Sequence, residues 1–325
     1  MSETLLYSGK AKDLFSTDDP EVLKMIYKDQ ATALNGKRKE QITGKGEVNY
    51  EISKLIFAYL SQQGIETHLI KNVSETEQLV KKVTIIPLEV VLRNVVAGSF
   101  ARKFGQPLGQ RLEQPIIEYY YKNDALDDPA INISQATALK LVTPTEVATI
   151  EAMTKQINTL LIKLFNEIGI DLIDFKLEFG RYQGRLILAD EFSPDNCRLW
   201  DQKTHSSLDK DVFRQNKGDL VTVYETVLQR LTKMIGVLQM YNVQVYVTYK
   251  DSVLDPQGQA VQGAIQRLGF EGISQMRIGK FFEMQVTGTD QATVIEKVEA
   301  ICDRLLANPN MEQYRYDVQL VEDAK

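Results

Sequence analysis

The chain has 325 residues, of which 43% are hydrophobic, so it can bury a substantial core, and two domains are the natural expectation at this length. Its formal net charge of -6, with acids and bases evenly mixed, excludes a general nucleic-acid or membrane-surface protein, because such proteins need a basic face. The N-terminal residues do not read as a targeting signal, and no run of about 18 apolar residues occurs. These features predict a cytoplasmic protein.

Cysteine and histidine are scarce. Cys197 and Cys302 are too few for a disulfide framework or a multi-cysteine zinc site, and we expect both to be buried thiols. His68, in a strand-like apolar segment, and His205, in a polar loop, are the whole supply of imidazole. Any chemistry must therefore depend on carboxylates, lysines, arginines and a metal bound through oxygen.

The first 45 residues alternate short β-forming segments with glycine and proline turns, which predicts a β-rich opening. Apolar residues at helical spacing from Glu47 predict a helix that Gly64 ends. Strand-like segments follow around THLIK, LVKKVTII and EVVLRNVVAG. The prolines and glycines of residues 105–129 then predict loops.

A second helix is predicted after Thr143, which serves as its cap, with proline in the first turn and Glu146 three residues beyond the cap. Gly169 ends this helix. Residues 170–192 predict a hairpin around the turn RYQG, and DLVTVYETVLQRL predicts a last helix that ends near Leu231.

The pattern changes at residues 232–239, which we interpret as the connection between two domains, 1–235 and 240–325. The second domain predicts a strand, a helix from Pro256 capped by Asp255, two strands around a turn at 278–280, a helix and a strand. This βαββαβ order is that of a ferredoxin-like fold, and the whole chain is predicted to be α+β.

Charged residues alternate with apolar ones in IDFKLEFG. The period of two places Asp174, Lys176 and Glu178 on one face of a strand, and Asp190 and Glu191 end the partner strand of the predicted hairpin. One interpretation is the solvated outer face of an antiparallel strand. The other is a carboxylate cluster held together by Mg²⁺ with a nucleotide, since grouped carboxylates repel one another unless a cation is present.

Two lysines follow a glycine turn in YSGKAK. Lys10 and Lys12 could clamp phosphates beside Gly9, or they could lie at an exposed hairpin tip. The segment is not a Walker loop, because it lacks the spaced second glycine and the Lys-Ser/Thr pair.

An arginine lies within the otherwise apolar strand VVLRNVVAGS. Arg93 needs an anionic partner, which could be a protein carboxylate or a ligand, and the Gly-Ser pair at 98–99 could donate to a phosphate. In EFSPDNCRLWD, Asp195 and Arg198 are three residues apart. Arg198 could bind a ligand, pair with Asp195 or pack on Trp200.

Eight segments occur in the order found in the SAICAR synthetase family, phosphoribosylaminoimidazole-succinocarboxamide synthase, over residues 4–231: YSGKAK, ATALNGKRKE, GKGEVN, VVLRNVVAGS, KNDALDDP, DFKLEFG, ADEFSPDNCRLWD and DVFRQN. The resemblance implies a fold related to ATP-grasp and kinase-like nucleotide domains. It also implies an ATP-dependent carbon-nitrogen ligase that uses ATP and Mg²⁺ to join the ribonucleotide CAIR to L-aspartate, through an acyl phosphate, giving SAICAR, ADP and phosphate.

The resemblance further implies roles for individual residues. ATP phosphates and the adenine pocket would involve Lys10, Ala11, Lys12, Lys81, Val83, Ile85 and Glu89. Glu178 and Asp190 would bind Mg²⁺, and Lys176 would lie beside the transferred phosphate. The residues expected to hold CAIR are Arg93, Ser99, Asp174, Asp195 and Arg198, of which Arg93 and Asp174 join Lys176 as catalytic candidates. Candidates for the aspartate site are Lys122 and Asp124.

One position departs from the family pattern. Asn35 stands where some members carry aspartate, which puts a charged metal ligand or base there in doubt.

The second domain resembles the PurS-type small subunit of FGAM synthase, through VYVTYKDSVLDPQGQAVQGAIQRLGF, RIGKFFEMQV and LLANPNMEQYRYDV. The resemblance implies a non-catalytic domain that forms homo-oligomers and bridges the FGAM synthase large subunit to its glutaminase subunit. Arg277 and Lys280 could contact such partners or belong to a solvated turn.

Two other functions stay open. The protein could be mainly an interaction scaffold with a weak first domain, or a nucleotide-dependent enzyme for another substrate whose second domain senses a small molecule.

Overall fold

The computed structural model describes residues 3–33, 38–215, 218–235, 239–288 and 291–321, so Asn35 lies outside the described residues. The chain divides into two compact units, Met1–Lys233 and Met234–Lys325. None of the helices in the described part of the chain has the length and apolar character needed to cross a membrane.

The first unit opens with a β-rich segment, as predicted. Its elements are β1 (Leu5–Ser8), β2 (Lys12–Ser16), β3 (Val22–Tyr27), β4 (Gln30–Ala33), β5 (Arg38–Gln41), α1 (Lys45–Gln62), β6 (Leu69–Asn72) and β7 (Glu77–Lys81). An antiparallel sheet has the strand order β1-β2-β3-β7-β6, and β4 pairs with β5. The helix predicted from Glu47 is α1.

A second sheet carries most of the charged residues singled out in the sequence. The elements that follow β7 are β8 (Thr84–Ile85), β9 (Leu88–Val95), α2 (Gly98–Phe104), β10 (Arg111–Tyr121), α3 (Ile133–Ala138), α4 (Pro144–Glu167), β11 (Ile170–Tyr182), β12 (Arg185–Ala189), β13 (Cys197–Asp201), α5 (Asp211–Arg214) and α6 (Leu220–Ile235). The strand order is β10-β9-β11-β12, and β13 and β8 also pair with β11. Strand β11 therefore exchanges its neighbours halfway along: β9 and β13 flank its first half, and β12 and β8 flank its second.

The prediction of loops throughout residues 105–129 is wrong, because β10 forms an eleven-residue strand there. It lies at the edge of the sheet and pairs with β9, and its register shifts between Arg111 and Ile116. Pro115 falls within that shift. A proline cannot donate to a ladder of backbone hydrogen bonds, but edge strands and bulges tolerate it.

The predicted hairpin of residues 170–192 is confirmed as β11 and β12. Its turn is the two-residue pair Gln183 and Gly184, with φ of 48° and 77°. Positive φ at both central residues is the requirement of a type I′ turn, whose twist matches that of the flanking strands. The turn fixes the register that brings Asp190, one residue beyond β12, next to Glu178 on β11.

Helix α4 packs on β11 and β12 and supplies much of the core of this unit. The predicted cap is confirmed, since Thr143 and Glu146 form a reciprocal capping box. Glu146 also accepts two hydrogen bonds from Arg181 of β11, at 2.5 and 3.0 Å. The Glu146 carboxylate thus both caps the N-terminus of α4 and connects this helix to β11.

We expect the Glu146→Gln substitution to lower the thermal unfolding midpoint at neutral pH. The hydrogen bonds from Arg181, followed by the capping contacts, lower the pKa of Glu146 to about 2 from its ordinary value of 4.5. A lowered carboxyl pKa stabilises the fold above the unfolded-state value and loses that effect as pH falls toward the folded-state value. The difference between wild type and variant should therefore shrink as pH falls from about 5 to about 3. Circular dichroism melts over this range test it, with Glu75→Gln in an exposed loop as control; a constant difference contradicts the assignment.

The second unit is smaller. Its elements are β14 (Gln239–Tyr249), α7 (Pro256–Arg267), β15 (Gly279–Gly288), α8 (Gln291–Ile301), which continues into a π-helical turn at Cys302–Leu306, and β16 (Glu312–Leu320). The strands pair in the antiparallel order β15-β14-β16. Valines on one face of β14 pack with Val294 and Val298 of α8 and with Cys302. Asp255 caps α7, as predicted, by accepting from the backbone N–H of Gly258 at 2.9 Å.

The prediction of a strand just before Ile278 is wrong. Residues 270–278, all of which the structure describes, have no strand, so this sheet has three strands in the described part of the unit instead of the four expected. Asp255 also accepts from the N–H of Ile278 at 2.8 Å, and Gln262 donates to the carbonyl of Ile273 at 3.2 Å. These contacts hold the segment against α7 and satisfy backbone groups that a ladder would otherwise use.

Candidate active site

Three lysines surround two carboxylates where β11 meets β12; we call this set the lysine-carboxylate cluster. Lys176 donates to Glu178 at 2.5 Å and to Asp190 at 2.9 Å. Lys122, just after β10, donates to the other oxygen of Glu178 at 2.5 Å, and Lys12, at the start of β2, pairs with Asp190. The cluster thus contains residues from the two larger sheets of the first unit.

The burial of β11 excludes one of the two interpretations of its charged face. Asp174 is 4% exposed and Glu178 is 2% exposed, so a solvated outer face is wrong. A buried carboxylate needs compensating charge or hydrogen bonds, and the neighbouring lysines supply both.

The ionisation of the lysine-carboxylate cluster follows from these contacts. Burial alone raises the pKa of Asp190, but the ammonium groups of Lys12 and Lys176 outweigh it and hold that pKa well below its usual range. Burial likewise lowers the pKa of Lys176, and Asp190 and Glu178 reverse the effect and raise it well above its usual value. Both groups are therefore charged at neutral pH.

Glu178 and Asp190 suit a magnesium ion. Mg²⁺ binds oxygen ligands and usually takes one or two protein carboxylates together with water and phosphate oxygens. Glu178 lies on β11, Asp190 follows the end of β12, and the two carboxylates share Lys176 as a partner. In the described part of the chain no group of three or more histidine, cysteine or acidic side chains could hold a metal. The magnesium site of two carboxylates therefore stays a prediction.

A second set, the arginine cluster, surrounds Asp174 in the first half of β11. Arg93 of β9 donates to Asp174 at 2.7 Å and to Glu118 of β10 at 2.6 Å. Arg198 of β13 donates to both oxygens of Asp174, at 3.0 and 2.8 Å. Ser99 accepts from Arg93 at 3.2 Å. The anionic partner that Arg93 requires is thus a protein carboxylate, and Asp174 holds two guanidinium groups side by side.

Arg198 does not pair with Asp195, which was one of the interpretations left open by the sequence. Its Nε donates to Asp211 of α5 at 2.9 Å. Asp195 instead accepts from the fully buried Lys45 at 2.5 Å and from the hydroxyl of Tyr224 at 2.8 Å. Asp195 is therefore held by helices α1 and α6.

Two neighbouring cavities join these clusters. The larger has a volume of about 470 Å³ and the smaller about 130 Å³. The predicted site residues that line the larger are Lys10, Ala11, Glu89, Arg93, Ser99, Asp174, Lys176, Asp195 and Arg198. Those that line the smaller are Lys10, Ala11, Lys12, Glu89, Lys122, Asp124, Lys176, Glu178 and Asp190. Most of the predicted residues are therefore brought together.

Three predicted residues lie apart. Lys81, Val83 and Ile85 line neither of these cavities. Lys81 donates to Glu66 at 3.2 Å, and Val83 packs so closely on Gly180 that a Cβ there would overlap it. Their contact with an adenine base stays a prediction.

The residues that sequence reasoning missed lie in two motifs. Lys45 belongs to GKGEVN, and Lys210, Asp211 and Arg214 lie in or just before DVFRQN. Both motifs carried the family resemblance but gave no role to these side chains. The motifs were visible in the sequence, but the partners of these side chains were not, since Lys45 and Asp195 are 150 residues apart.

Residues 5–231 match the family model for SAICAR synthetase, and residues 242–320 match the PurS model, described as phosphoribosylformylglycinamidine (FGAM) synthase. Because the first match covers well over half of the chain, the chain belongs to the SAICAR synthetase family, and a PurS domain follows at its C-terminal side. Both resemblances drawn from the sequence are confirmed.

Individual relatives agree with this membership. The phosphoribosylaminoimidazole-succinocarboxamide synthase of Streptococcus mutans is 58% identical over 235 residues, which are 72% of this chain and 100% of the relative. The crystal structure of the synthase from Ehrlichia chaffeensis is 43% identical with a TM-score of 0.69, over 70% of this chain and 98% of that one. A SAICAR synthetase in complex with ADP is 46% identical with a TM-score of 0.68, over 70% and 97%.

Proposed function

We propose that the first unit catalyses the ATP-dependent ligation of CAIR with L-aspartate to give SAICAR, ADP and phosphate in de novo purine biosynthesis. The observation that carries the proposal is the pair of adjoining cavities that connects a lysine-carboxylate cluster, suited to Mg²⁺ and nucleotide phosphates, with an arginine cluster suited to a substrate anion. The relative solved with ADP supports the nucleotide part.

The lysine-carboxylate cluster would bind the nucleotide. Lys10 and Lys12 would hold ATP phosphates, and Glu178 and Asp190 would hold Mg²⁺, which supplies neutralisation of phosphate charge when bound. Without ligands the ammonium groups compensate the carboxylates. Binding of phosphates therefore gives Lys12 and Lys176 a new anionic partner without creating an unpaired buried charge.

The arginine cluster would bind CAIR. Arg93, Ser99 and Arg198 would face its phosphate, and Asp174 keeps the two guanidinium groups oriented. Planar guanidinium groups suit phosphate oxygens because they donate in a fixed fork.

The chemistry needs no protein nucleophile. The carboxylate of CAIR attacks the γ-phosphate, which releases ADP and leaves an acyl phosphate; the amine of aspartate then forms the amide bond as phosphate leaves and a proton is lost. The protein aligns the reactants and stabilises the transferred charge, for which Lys176, lining both cavities, is placed.

Gly98 tests the role of the arginine cluster. Its φ of 54° is left-handed, and a Cβ there would lie 2.5 Å from the Cζ of Arg198. We expect Gly98→Ala to displace Arg198 from Asp174 and to raise the KM for CAIR by about tenfold or more, with little change in the KM for ATP. Steady-state kinetics measure both, and Gly105→Ala, also left-handed but in open space, separates backbone strain from displacement of Arg198. An equal effect of the two variants contradicts this role.

The direct test of the proposed reaction is ADP release by the purified protein with ATP, Mg²⁺ and CAIR, with and without L-aspartate. We expect release that depends on aspartate and an equal amount of SAICAR. Absence of SAICAR under these conditions overturns the proposal and favours an interaction scaffold or another substrate.

For the second unit we propose a non-catalytic role in assembling FGAM synthase. The PurS match supports it, and so do apolar side chains that are largely exposed on this unit, such as Leu268 at 75% and Phe270 at 62%. We expect the full chain to form a homo-oligomer and to retain the FGAM synthase large subunit together with its glutaminase subunit in a pull-down. Failure to retain either subunit overturns this role.

A further inference from the structure

A buried carboxylate to which neither the sequence analysis nor the proposed function gives a role lies behind the candidate active site. Asp209, two residues before α5, is 0% exposed and lines neither of the two cavities. Its Oδ2 accepts the backbone N–H of Leu199 of β13 at 2.9 Å, and its Oδ1 accepts the backbone N–H of Asp211 at 2.7 Å. Asp209 thus connects β13 to α5.

The two backbone groups that Asp209 binds lie at the two ends of one side-chain contact. Leu199 directly follows Arg198 in β13, and Asp211 accepts from the Nε of Arg198 at 2.9 Å. The contacts therefore form a closed ring, in which Asp209 is joined to β13 next to Arg198 on one side and to Asp211 on the other. This ring fixes the place of the Asp211 carboxylate relative to the strand that carries Arg198.

The guanidinium group of Arg198 depends on partners from two different elements. Asp174 of β11 accepts from its Nη1 at 3.0 and 2.8 Å, and Asp211 of α5 accepts from its Nε. Within the part of the chain that the structure describes, Nη2 donates to no protein group, and Arg198 lines the larger cavity. A shift of α5 relative to β13 would move Asp211 and turn this donor away from a ligand anion.

The stability of the fold does not account for a carboxylate at position 209. Burial raises the pKa of Asp209 to about 6 from its ordinary value of 3.8, and the negative charge of Asp211 adds to this effect, which the backbone hydrogen bonds only partly offset. The other titratable groups near it, Cys197 of β13 and Tyr224 of α6, are neutral, because burial raises their pKa values well above the ordinary ones. A carboxylate whose pKa is higher in the folded than in the unfolded state destabilises the fold once the pH exceeds both values. At neutral pH the charge of Asp209 therefore costs stability.

We propose that Asp209 is a positioning residue for the ribonucleotide substrate, which holds β13 and α5 so that Arg198 is aimed at the phosphate of that substrate. The inference rests on the proposed function, in which the ribonucleotide is CAIR. Asp209 does not touch the substrate and acts through Arg198.

The first test is the Asp209→Asn substitution, which keeps the size of the side chain and one oxygen acceptor but replaces the other oxygen by an amide NH₂ that cannot accept. One backbone N–H of the ring then loses its partner. We expect the KM for CAIR to rise by about tenfold or more, and the KM for ATP and for L-aspartate to stay within about twofold. Steady-state kinetics measure all three, and an unchanged KM for CAIR overturns the inference.

Asp201, at the end of β13, provides the matched control. It is also buried and accepts two backbone N–H groups, those of Lys203 and Thr204 at 2.9 and 2.8 Å, but it pairs with Arg230, which lines neither cavity. The N–H of Thr204 and the guanidinium of Arg230 lower the pKa of Asp201, so its charge stabilises the fold at neutral pH. We expect Asp201→Asn to lower the thermal unfolding midpoint and to keep the KM for CAIR, whereas Asp209→Asn should raise that KM and keep a midpoint close to that of wild type. If Asp209→Asn is destabilised as strongly as Asp201→Asn, or does not fold, Asp209 is a structural residue and the inference is overturned.

A double-mutant cycle with Arg198→Met shows whether Asp209 acts through that arginine. In the Arg198→Met background, Asp209→Asn should change the KM for CAIR by less than about twofold, because the group that Asp209 positions is gone. Effects that multiply in full contradict the inference. If wild type forms no SAICAR from ATP, CAIR and L-aspartate, the proposed function itself fails; if wild type forms SAICAR and Asp209→Asn binds CAIR normally, only the role of Asp209 is rejected.

Discussion

Replacement of Lys12 by alanine is expected to lower turnover by about 10²-fold or more, which is the usual contribution of a preorganised charge aimed at a transferring phosphoryl group. Lys12 is buried at the start of β2, and its ammonium pairs with Asp190. Burial lowers the pKa of Lys12, and Asp190 and Glu191 more than reverse this, so the side chain is charged throughout the neutral range. Alanine removes a fixed positive charge from a place where water cannot replace it.

The measurement is kcat and KM for ATP in the aspartate-dependent assay. Lys71→Ala serves as the matched control, because Lys71 lies exposed on β6 of the same sheet. Thermal unfolding should accompany the kinetics, since the substitution also leaves Asp190 with one cation fewer. A folded variant with near-normal turnover would remove Lys12 from the proposed chemistry.

Local signals predicted much of the fold. The capping box of Thr143 and Glu146 and the cap of Asp255 are confirmed because a cap depends on residues a few positions apart. The hairpin of β11 and β12 is confirmed for the same reason, as its turn and its alternation lie within one short segment. These features need no knowledge of what the rest of the chain does.

The errors concern pairing between distant segments. Residues 105–129 were expected to be loops because of their prolines and glycines, yet a bulge at the sheet edge accommodates Pro115 within β10. The segment before Ile278 was expected to be a strand from its composition, yet contacts from Asp255 and Gln262 hold it on α7. The composition of a segment does not indicate which distant segment it will pair with.

In the candidate site, too, local patterns were predicted correctly and contacts between distant segments were not. Alternation in IDFKLEFG correctly placed Asp174, Lys176 and Glu178 on one face of β11. It did not reveal that Glu118 would share Arg93 with Asp174, or that Lys45 would engage Asp195, since these partners come from other strands and helices. Ionic partners from distant segments leave no periodic pattern in the sequence, so the sequence did not indicate these pairs.

The Asp190→Asn variant is expected to lose about 10²-fold or more in turnover and to require more Mg²⁺ for half-maximal rate. Asparagine keeps the size of the side chain but removes the charge that would bind the metal. It also leaves Lys12 and Lys176 facing a neutral group. The pKa of Asp190 is held well below its usual range, so its charge stabilises the fold at neutral pH, and the variant should unfold at a lower temperature.

The dependence on Mg²⁺ separates a metal ligand from a partner of lysine. If Asp190 only compensated Lys12 and Lys176, the variant would lose stability and turnover while the Mg²⁺ concentration for half-maximal rate stayed at the wild-type value. Asp251→Asn, 84% exposed on the second unit, controls for the removal of one negative charge. A higher Mg²⁺ requirement in Asp190→Asn, with none in the control variant, would show that the Asp190 carboxylate binds the metal. In that case the carboxylate pairs with lysines in the absence of nucleotide. It exchanges them for Mg²⁺ when the phosphates of the nucleotide bring negative charge into the cavity.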